Sequence, residues 1–378
     1  MFLTSDNKTE PNGDPAGQGS GILDTVSYSQ QSATLRSFNP QGFVNEYLGV
    51  LKPREKQVVL ARYGLEDGAE QTLEQIGKKM SLTRERVRQI EKESLHKLES
   101  ATLAAHLRSA VDLMFQIIED HGEIMREDSL LDSLLVANNS EVNRRSVLFI
   151  LQIIPRFNLF EGNEMYRRAW HVAGLDWDML GRVCDVARKF FEQAGKPQKA
   201  ETVLGAIRKE GDDFSAMADE VLENYLSLSH AIAKNSFGDW GLTAWPEIRP
   251  RDIGDKAYLV LLHHDKPEHY AKIAEMINKQ SFDRRTAHKE TVHNELIKDE
   301  RFVLVGRGIY ALKKWGYSKG VVADVIASVL REAGSPLSRD EIVSRVMKQR
   351  LVKRNTVIVG LSNRKLFLKT EDNKYANV

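Results

Sequence analysis

From Phe43 onward apolar residues recur every three or four positions, the spacing of one helical face, and up to Leu98 they mark out four short helices. FVNEYLGVL predicts the first. PREKQVVLARYGL predicts the second, with Pro53 in its first turn and Gly64 just past its last apolar residue. Thr72 and Gln75 form a capping box, so a third helix starts at Thr72. Met80–Leu82 leaves room only for a tight connection, and Thr83 caps a fourth helix with Val87, Ile90 and Leu98 on one side. Two short helices joined by so short a link predict a helix-turn-helix.

Past Ala101 the pattern repeats with a period of about 70 residues. Trp170, Trp245 and Trp315 each stand 13 residues after an apolar residue, namely Phe157, Ile232 and Phe302. Tyr166, Trp240, Tyr310 and Tyr375 add an aromatic to each of four segments, 8 residues after Ile232, Phe302 and Phe367 and 9 after Phe157. Short apolar runs around Gly, Asn or Asp predict β-hairpins there. Counting back 11 residues reaches Ser146-Val147, Val221-Leu222, Thr291-Val292 and Thr356-Val357, each inside a helical stretch. Every repeat thus reads as two helices, a third helix and a closing hairpin, the order of a winged helix. Ser338 and Glu341 form a capping box that opens the middle helix of the last repeat.

The expected fold is mainly α with small β-hairpin wings. A Gly-, Ser- and Asn-rich tail over residues 1–38 is expected to be disordered. The helix-turn-helix covers 39–101, and four tandem winged-helix units cover 105–175, 176–250, 251–316 and 317–378. The three tryptophans are expected to pack between units rather than to stack on bases.

Composition narrows the class. A chain of 378 residues, 42% hydrophobic and 28% charged, suits several small domains. No apolar run approaches the ~20 residues of a membrane helix, and MFLTSDNKTE lacks the features of a secretory signal, so a cytoplasmic protein is expected. The single cysteine, Cys184, rules out internal disulfides and a cysteine-rich zinc cluster, and is expected to be buried and inert. The net charge of +1 is unevenly spread. From Lys313 onward there are 14 basic and 6 acidic residues, leaving the rest at −7, and Lys78–Lys97 holds 7 basic against 3 acidic. Two regions could therefore hold a polyanion.

Candidate chemistry concentrates at the start of the fourth helix. Arg84 with Arg88, and Glu85 with Gln89, are i,i+4 pairs opposite Val87 and Ile90. In a helix-turn-helix these N-terminal residues of the second helix meet base edges in the major groove. Arg donates twice to guanine, Glu accepts from cytosine and Gln bonds adenine bidentately. Lys78, Lys79, Thr83, Arg86 and Lys92 suit phosphate contacts. The competing reading is a solvated charged face. A second candidate DNA surface lies in the last unit, at Lys353, Arg354, Arg364 and Lys365, with Arg307 in the third unit's wing and Lys369 and Lys374 in the last. Arg144 and Arg145 in the first unit and Arg284 and Arg285 in the third are weaker candidates, and the acidic second unit, with Asp212, Asp213, Asp219 and Glu220, reads as a spacer or protein contact.

Leu51–Ser100 resembles region 4 of the bacterial sigma-70 family, the module that binds the promoter −35 element. Thr-Leu-Glu-x-Ile-Gly at Thr72, Leu-Thr-Arg-Glu-Arg-Val-Arg-Gln-Ile-Glu at Leu82, and Leu95 and Leu98 carry the likeness. The resemblance implies that Arg84, Glu85, Arg88 and Gln89 read or line the groove, and that the helix around Val58–Tyr63 docks on the β flap of RNA polymerase core. The aromatic-rich −10-reading region that accompanies region 4 in a complete sigma factor has no counterpart upstream in this sequence. Lys266–Gly316, through FVLVGRGIYALKKW, resembles HARE-type helix-turn-helix domains, which implies a DNA- or transcription-linked role.

No enzymatic signature stands out. Gly306-Arg307-Gly308 lacks the Lys-Ser/Thr of a P-loop and reads as a hairpin turn. His263, His264 and His269 lack metal-ligand spacing and read as an exposed loop. No cofactor is expected. Two functions remain open: a DNA-binding transcription factor acting on −35-like promoter DNA or polymerase in the bacterial cytoplasm or nucleoid, and a polymerase-associated scaffold, like the polymerase δ subunit, whose winged helices bind protein.

Overall fold

The computed structural model describes residues 38–317, 322–350 and 352–378. The expected disordered tail lies outside these residues except for Phe38, which packs partly buried against the core.

The first four helices start and stop where their capping groups dictate. Helix α1, Pro40–Tyr47, begins at Asn39, whose side chain accepts from Gly42 N at 2.9 Å, and runs into a 3-10 turn, Leu48–Val50. Helix α2, Pro53–Tyr63, ends at Gly64 in the left-handed conformation. Helix α3, Leu73–Met80, starts in the Thr72/Gln75 capping box, and α4, Arg84–Glu99, starts at Thr83.

The chain then repeats one order, helix, short strand, helix, helix, hairpin, three times in full and once, in the second copy, without the short strand and with an extra short helix. The first copy is α5 (Ala105–Asp120), β1 (Ile124–Arg126), α6 (Glu127–Leu134), α7 (Glu141–Ile153), β2 (Asn158–Phe160) and β3 (Ala169–His171). The second is α8 (Trp177–Ala194), α9 (Ala200–Lys209), a short α10 (Asp212–Ser215), α11 (Asp219–Leu228), β4 (Ile232–Lys234) and β5 (Trp240–Leu242). The third is α12 (Ile253–His264), β6 (Glu268–His269), α13 (Tyr270–Gln280), α14 (Lys289–Lys298), β7 (Phe302–Gly306) and β8 (Ile309–Leu312). The fourth is α15 (Val322–Ala333), β9 (Leu337–Ser338), α16 (Arg339–Gln349), α17 (Arg354–Leu361), β10 (Phe367–Lys369) and β11 (Lys374–Asn377).

Antiparallel sheets of order β1-β3-β2, β6-β8-β7 and β9-β11-β10 put the last strand of each copy in the centre. In the second copy the short strand shrinks to a single bridge, Gln198 to Trp240, beside β4-β5. These are winged-helix-like units on a mainly helical chain. The equivalent third-helix residues Val147, Leu222, Val292 and Val357 are all fully buried.

Strand register corrects one reading of the repeat. Trp240, Tyr310 and Tyr375 pair with Lys234, Leu304 and Lys369, each two residues after the leading apolar position. In the first copy that partner is Leu159, and it pairs with Trp170, not Tyr166. The turn from Glu161 to Arg168 is longer than in the other hairpins, so Tyr166 falls in the turn and bridges to Ser229. The tryptophans pack inside their own repeats rather than between them. Trp170 belongs to the core around α5 and α7 and its Nε1 donates to Glu127, Trp245 stands edge-on to Phe191, and Trp315 packs against the α12–α14 core.

The chain divides into two compact bodies: the described part of Met1–Gly181 with Met217–Ser229, and Arg182–Ala216 with His230–Val378. In the first, one continuous apolar core joins Phe43, Leu48 and Leu98 of the N-terminal helices to Leu107, Met114, Val147, Phe149 and Trp170. Tyr63 meets the Phe149 ring at 4.9 Å, and the Tyr47 hydroxyl donates to the Leu98 carbonyl. Helix α11 is held on the turn before β1: Asn224 Nδ2 donates to His121 O at 2.8 Å, and the Tyr225 hydroxyl to Gly122 O at 3.1 Å. Gly122 has φ +83, and a Cβ there would lie 2.7 Å from Val221, so only glycine lets α11 come this close.

In the second body the β4–β5 turn presents Phe237, whose ring stacks on His263 at 3.9 Å. His263 also pairs with buried Asp239 at 3.0 Å, and burial holds its pKa below the usual value. His264 pairs with Glu268 at 3.2 Å, and His269 caps α13 through Ala271 N at 3.3 Å. The three histidines are thus structural groups at element ends, not members of an exposed loop. Cys184 is buried, and burial pushes its thiol up to about 12. Gly308 turns the β7–β8 hairpin at φ +70.

Because α7 and the N-terminal helices share one core, Phe149→Ala should cost about 3–5 kcal/mol. Hydrogen exchange in α2 and α7 is expected to accelerate together; loss of protection in α7 alone would show that the two elements are separable.

Candidate nucleic-acid interface

The helix-turn-helix rests on its own small cluster, Val58, Ile76, Val87 and Ile90, all buried. Two backbone details set its tight corner. Ser81 takes the left-handed conformation at φ 54, and a Cβ on Gly77 would sit 2.7 Å from the Leu82 carbonyl oxygen, so glycine lets the link fold back onto α3. Thr83 Oγ1 then accepts from Arg86 N at 3.2 Å, a cap worth about 1 kcal/mol that fixes where α4 begins. Behind α4, Glu91 receives Arg62 Nε at 3.2 Å and the Tyr63 hydroxyl at 3.3 Å. Burial foremost, then the Glu91 charge, pushes the Tyr63 phenol up to about 12, so it stays a neutral donor.

With Val87, Ile90 and Leu98 turned inward, the opposite side of the first turns carries Arg84, Glu85, Arg88 and Gln89, all exposed. Neighbours one turn apart link these side chains to one another. Glu85 takes Arg88 in a fork, Nε at 2.8 Å and Nη2 at 2.6 Å, while Arg86 donates to Gln89 Oε1 at 3.1 Å. The Arg88 hydrogen bonds hold the Glu85 carboxyl below the usual range. Arg84, Lys79 and Lys92 are exposed and in no ion pair among the described residues, whereas Lys78 is engaged by Glu74 at 2.9 Å. Of the two arginines on the groove-facing side, Arg88 is already oriented by a neighbour and Arg84 is free to turn.

Residues 47–99 match the family model of sigma-70, region 4. This stretch is similar to sigma-70 region 4. Curated relatives match the same part: an RNA polymerase sigma factor SigA from Clostridium acetobutylicum is 45% identical over 65 residues, covering 17% of this chain and 17% of the relative. RNA polymerase principal sigma factor HrdC from Streptomyces coelicolor is 48% identical over 66 residues, 18% of this chain and 17% of the relative. RNA polymerase sigma factor sigB from Arabidopsis thaliana is 38% identical over 87 residues, 23% of this chain and 15% of the relative. The chain thus spans less than a quarter of the length of these relatives.

Around the region 4 segment the remaining candidates fall into distinct surroundings. Arg145, on α7, is engaged by Glu141 at 3.0 Å and by Glu70 of the region 4 segment, and Arg144 by Asp132 at 3.4 Å. The apolar residues of α2 expected to dock on a partner, Val58, Val59 and Leu60, are buried, and Tyr63 lies on Phe149. Val58 is covered by Ile76, Val87 and Ile90 of the helix-turn-helix itself, whereas the Tyr63–Phe149 and Glu70–Arg145 contacts join residues some 75 or more positions apart, which sequence patterning cannot reveal. Asp213 pairs with Arg182 at 3.0 Å. In the fourth unit Lys353, Arg364 and Lys365 are exposed and in no ion pair among the described residues, while Arg354 reaches Asp340 at 2.6 Å. Arg284, Arg285 and Arg307 are exposed. No helix among the described residues is long and apolar enough to cross a membrane.

The Glu85–Arg88 fork makes a measurable prediction. A carboxyl with a lowered folded pKa keeps its pair above the ordinary carboxylate pKa and loses it as pH falls through the folded value. NMR titration should place the Glu85 midpoint below the usual ~4.3, and Arg88→Ala should return it upward. A midpoint unmoved by that change would mean the fork does not persist in solution.

Proposed function

We propose that this chain is a DNA-binding transcription factor of bacterial type, acting in initiation or its regulation, whose region 4 segment reads −35-like promoter DNA. The single observation that carries the reading is the exposed, capped start of α4, where Arg84, Glu85, Arg88 and Gln89 stand together over a buried Val87–Ile90 stripe. Arg84 and Arg88 would donate to guanine, Glu85 accept from cytosine and Gln89 bond adenine. Lys78, Lys79, Thr83, Arg86 and Lys92 would meet phosphates on either side.

The winged-helix-like units, read as 105–175, 176–250, 251–316 and 317–378, divide the remaining work. Helices α7 and α11 are occupied by intrachain contacts, so α14 and α17 are the third helices left to engage duplex. Helix α17, flanked by Lys353, Arg354, Arg364 and Lys365, is the second DNA surface, with Arg307 supplementing it from the third unit; the HARE-type likeness of that unit agrees with a DNA-linked role. RNA polymerase core is the proposed protein partner. Docking on its β flap through Val58–Tyr63 requires Tyr63 to leave Phe149 and the helix-turn-helix cluster to give up Val58. The scaffold alternative finds no support among the sigma-factor relatives. The chain acts by binding rather than catalysis, in the bacterial cytoplasm or on the nucleoid.

Arg84→Ala and Gln89→Ala should each reduce discrimination between a −35-like duplex and a scrambled one by about 1–3 kcal/mol, read by equilibrium binding at fixed salt. Equal weakening on both duplexes would reduce this face to general affinity. Replacing Lys353, Arg364 and Lys365 together by Ala should lower the slope of log affinity against log salt by about 0.9 for each phosphate that is no longer neutralised. An unchanged slope would remove the fourth unit from the DNA surface.

A further inference from the structure

The four hairpins have equivalent cross-strand positions on their outward faces, away from the helices. In β7–β8 the outward pair is Val303 opposite Ala311, only 2% and 0% exposed, in a cluster completed by Trp315 and Tyr317. In β4–β5 the same pair is Ala233 opposite Gly241. There a Cβ on Gly241 would lie 2.9 Å from the Trp245 indole and 2.8 Å from Ile248, so this face too is closed. In β2–β3 the pair is Asn158 opposite His171. Trp177 stands edge-on to His171 at 5.8 Å and meets Phe160, on the same face, at 4.9 Å. In each of these three wings an indole that follows the second strand packs on this face, closing it in the second and third and lying half-exposed over Phe160 and His171 in the first.

The fourth hairpin repeats the pair as Leu368 opposite Ala376 and extends it with Leu366 beside Val378, whose N–H donates to Leu366 O at 3.0 Å. Here the face is open: Leu366, Leu368 and Val378 are 43%, 55% and 72% exposed. Lys374 shares this face by strand alternation, and Arg364–Val378 holds Arg364, Lys365, Lys369 and Lys374 against Glu371 and Asp372. Four apolar side chains fall well short of the ~800 Å² per partner of a standard protein interface, so a short segment fits better than the broad surface of a second copy.

We propose that the outward face of the β10–β11 wing is a binding site for a tryptophan carried in a short acidic segment of a partner protein. The partner's indole would lie across Leu368 and Ala376 as Trp315 lies across Val303 and Ala311. Its carboxylates would face Lys374, Lys365 and Arg364. The chain already contains a segment of this chemistry, since Trp177 is flanked by Asp176 and Asp178.

The test titrates the full-length chain into a labelled synthetic peptide, AGLDWDMLGR, and reads fluorescence anisotropy at low salt. Saturable binding is expected, weakened at least tenfold by replacing the peptide's Trp with Ala, and equally by Leu368→Glu or Val378→Asp in the protein. Both protein substitutions are at exposed positions, and unchanged circular dichroism and Tm would establish that they fold. Absence of saturable binding up to the highest protein concentration that stays in solution overturns the proposal. So does binding that survives both protein substitutions, which would place the peptide elsewhere. Self-association of the chain alone, abolished by Leu368→Glu in sedimentation, would assign the face to a second copy instead.

Discussion

Burial of α7 against the N-terminal helices is the constraint on which the first body depends. Neither partner closes a core alone: the cluster running from Phe43 through Leu98 to Phe149 and Trp170 is continuous, and the helix-turn-helix adds only four fully packed residues of its own. Small domains bury a smaller fraction of their surface and are only marginally stable, and joining two of them enlarges the core. The consequence is a division of labour. The side of the region 4 segment that faces α7 is committed to stability, so the exposed start of α4 is left for the proposed recognition of DNA.

The same constraint governs the third helices. In a winged-helix-like unit this helix projects from the body with polar residues outermost, and whatever meets it determines its role. Glu70 and Tyr63 meet α7, and the carbonyls of His121, Gly122 and Ile124 meet α11. Hydrogen bonds from Asn224 and Tyr225 to backbone carbonyls are possible because Gly122 removes the side chain that would hold α11 away. Helices α14 and α17 meet nothing comparable among the described residues. The proposed spread of DNA contacts across the first and last parts of the chain, with stabilising contacts between, follows from this difference and not from the number of arginines each unit carries.

Charge follows the same rule at the level of single groups. Arg144 and Arg145 are bound by nearby carboxylates, and exposed ion pairs of this kind contribute little stability but do remove cations from a potential phosphate surface. Arg88 is bound as well, yet by Glu85 within one helical turn, which holds it in place while leaving it exposed. The outward faces of the wings show the apolar version of the rule. Three have an indole packed on them, and the fourth, rimmed by lysine and arginine, stands open.

The sequence by itself determined the helices of the N-terminal segment, their caps at Thr72 and Thr83, the stop at Gly64, the four hairpins and the exposed polar stripe from Arg84 to Gln89. All of these rest on interactions within a few residues, which local patterning records directly. Tertiary structure alone decided the rest. The short strands β1, β6 and β9 exist because a neighbouring central strand offers backbone groups, and two or three residues carry no pattern of their own. Trp170 rather than Tyr166 takes the central position of its sheet because register is set by cross-strand pairing, and a longer turn shifts the count. Whether Arg145 or Lys353 stays free, and whether Val59 or Leu368 meets solvent, depends on which segment lies opposite. Interactions between residues tens of positions apart are selected by three-dimensional fit, and fit has no spacing along the chain to read.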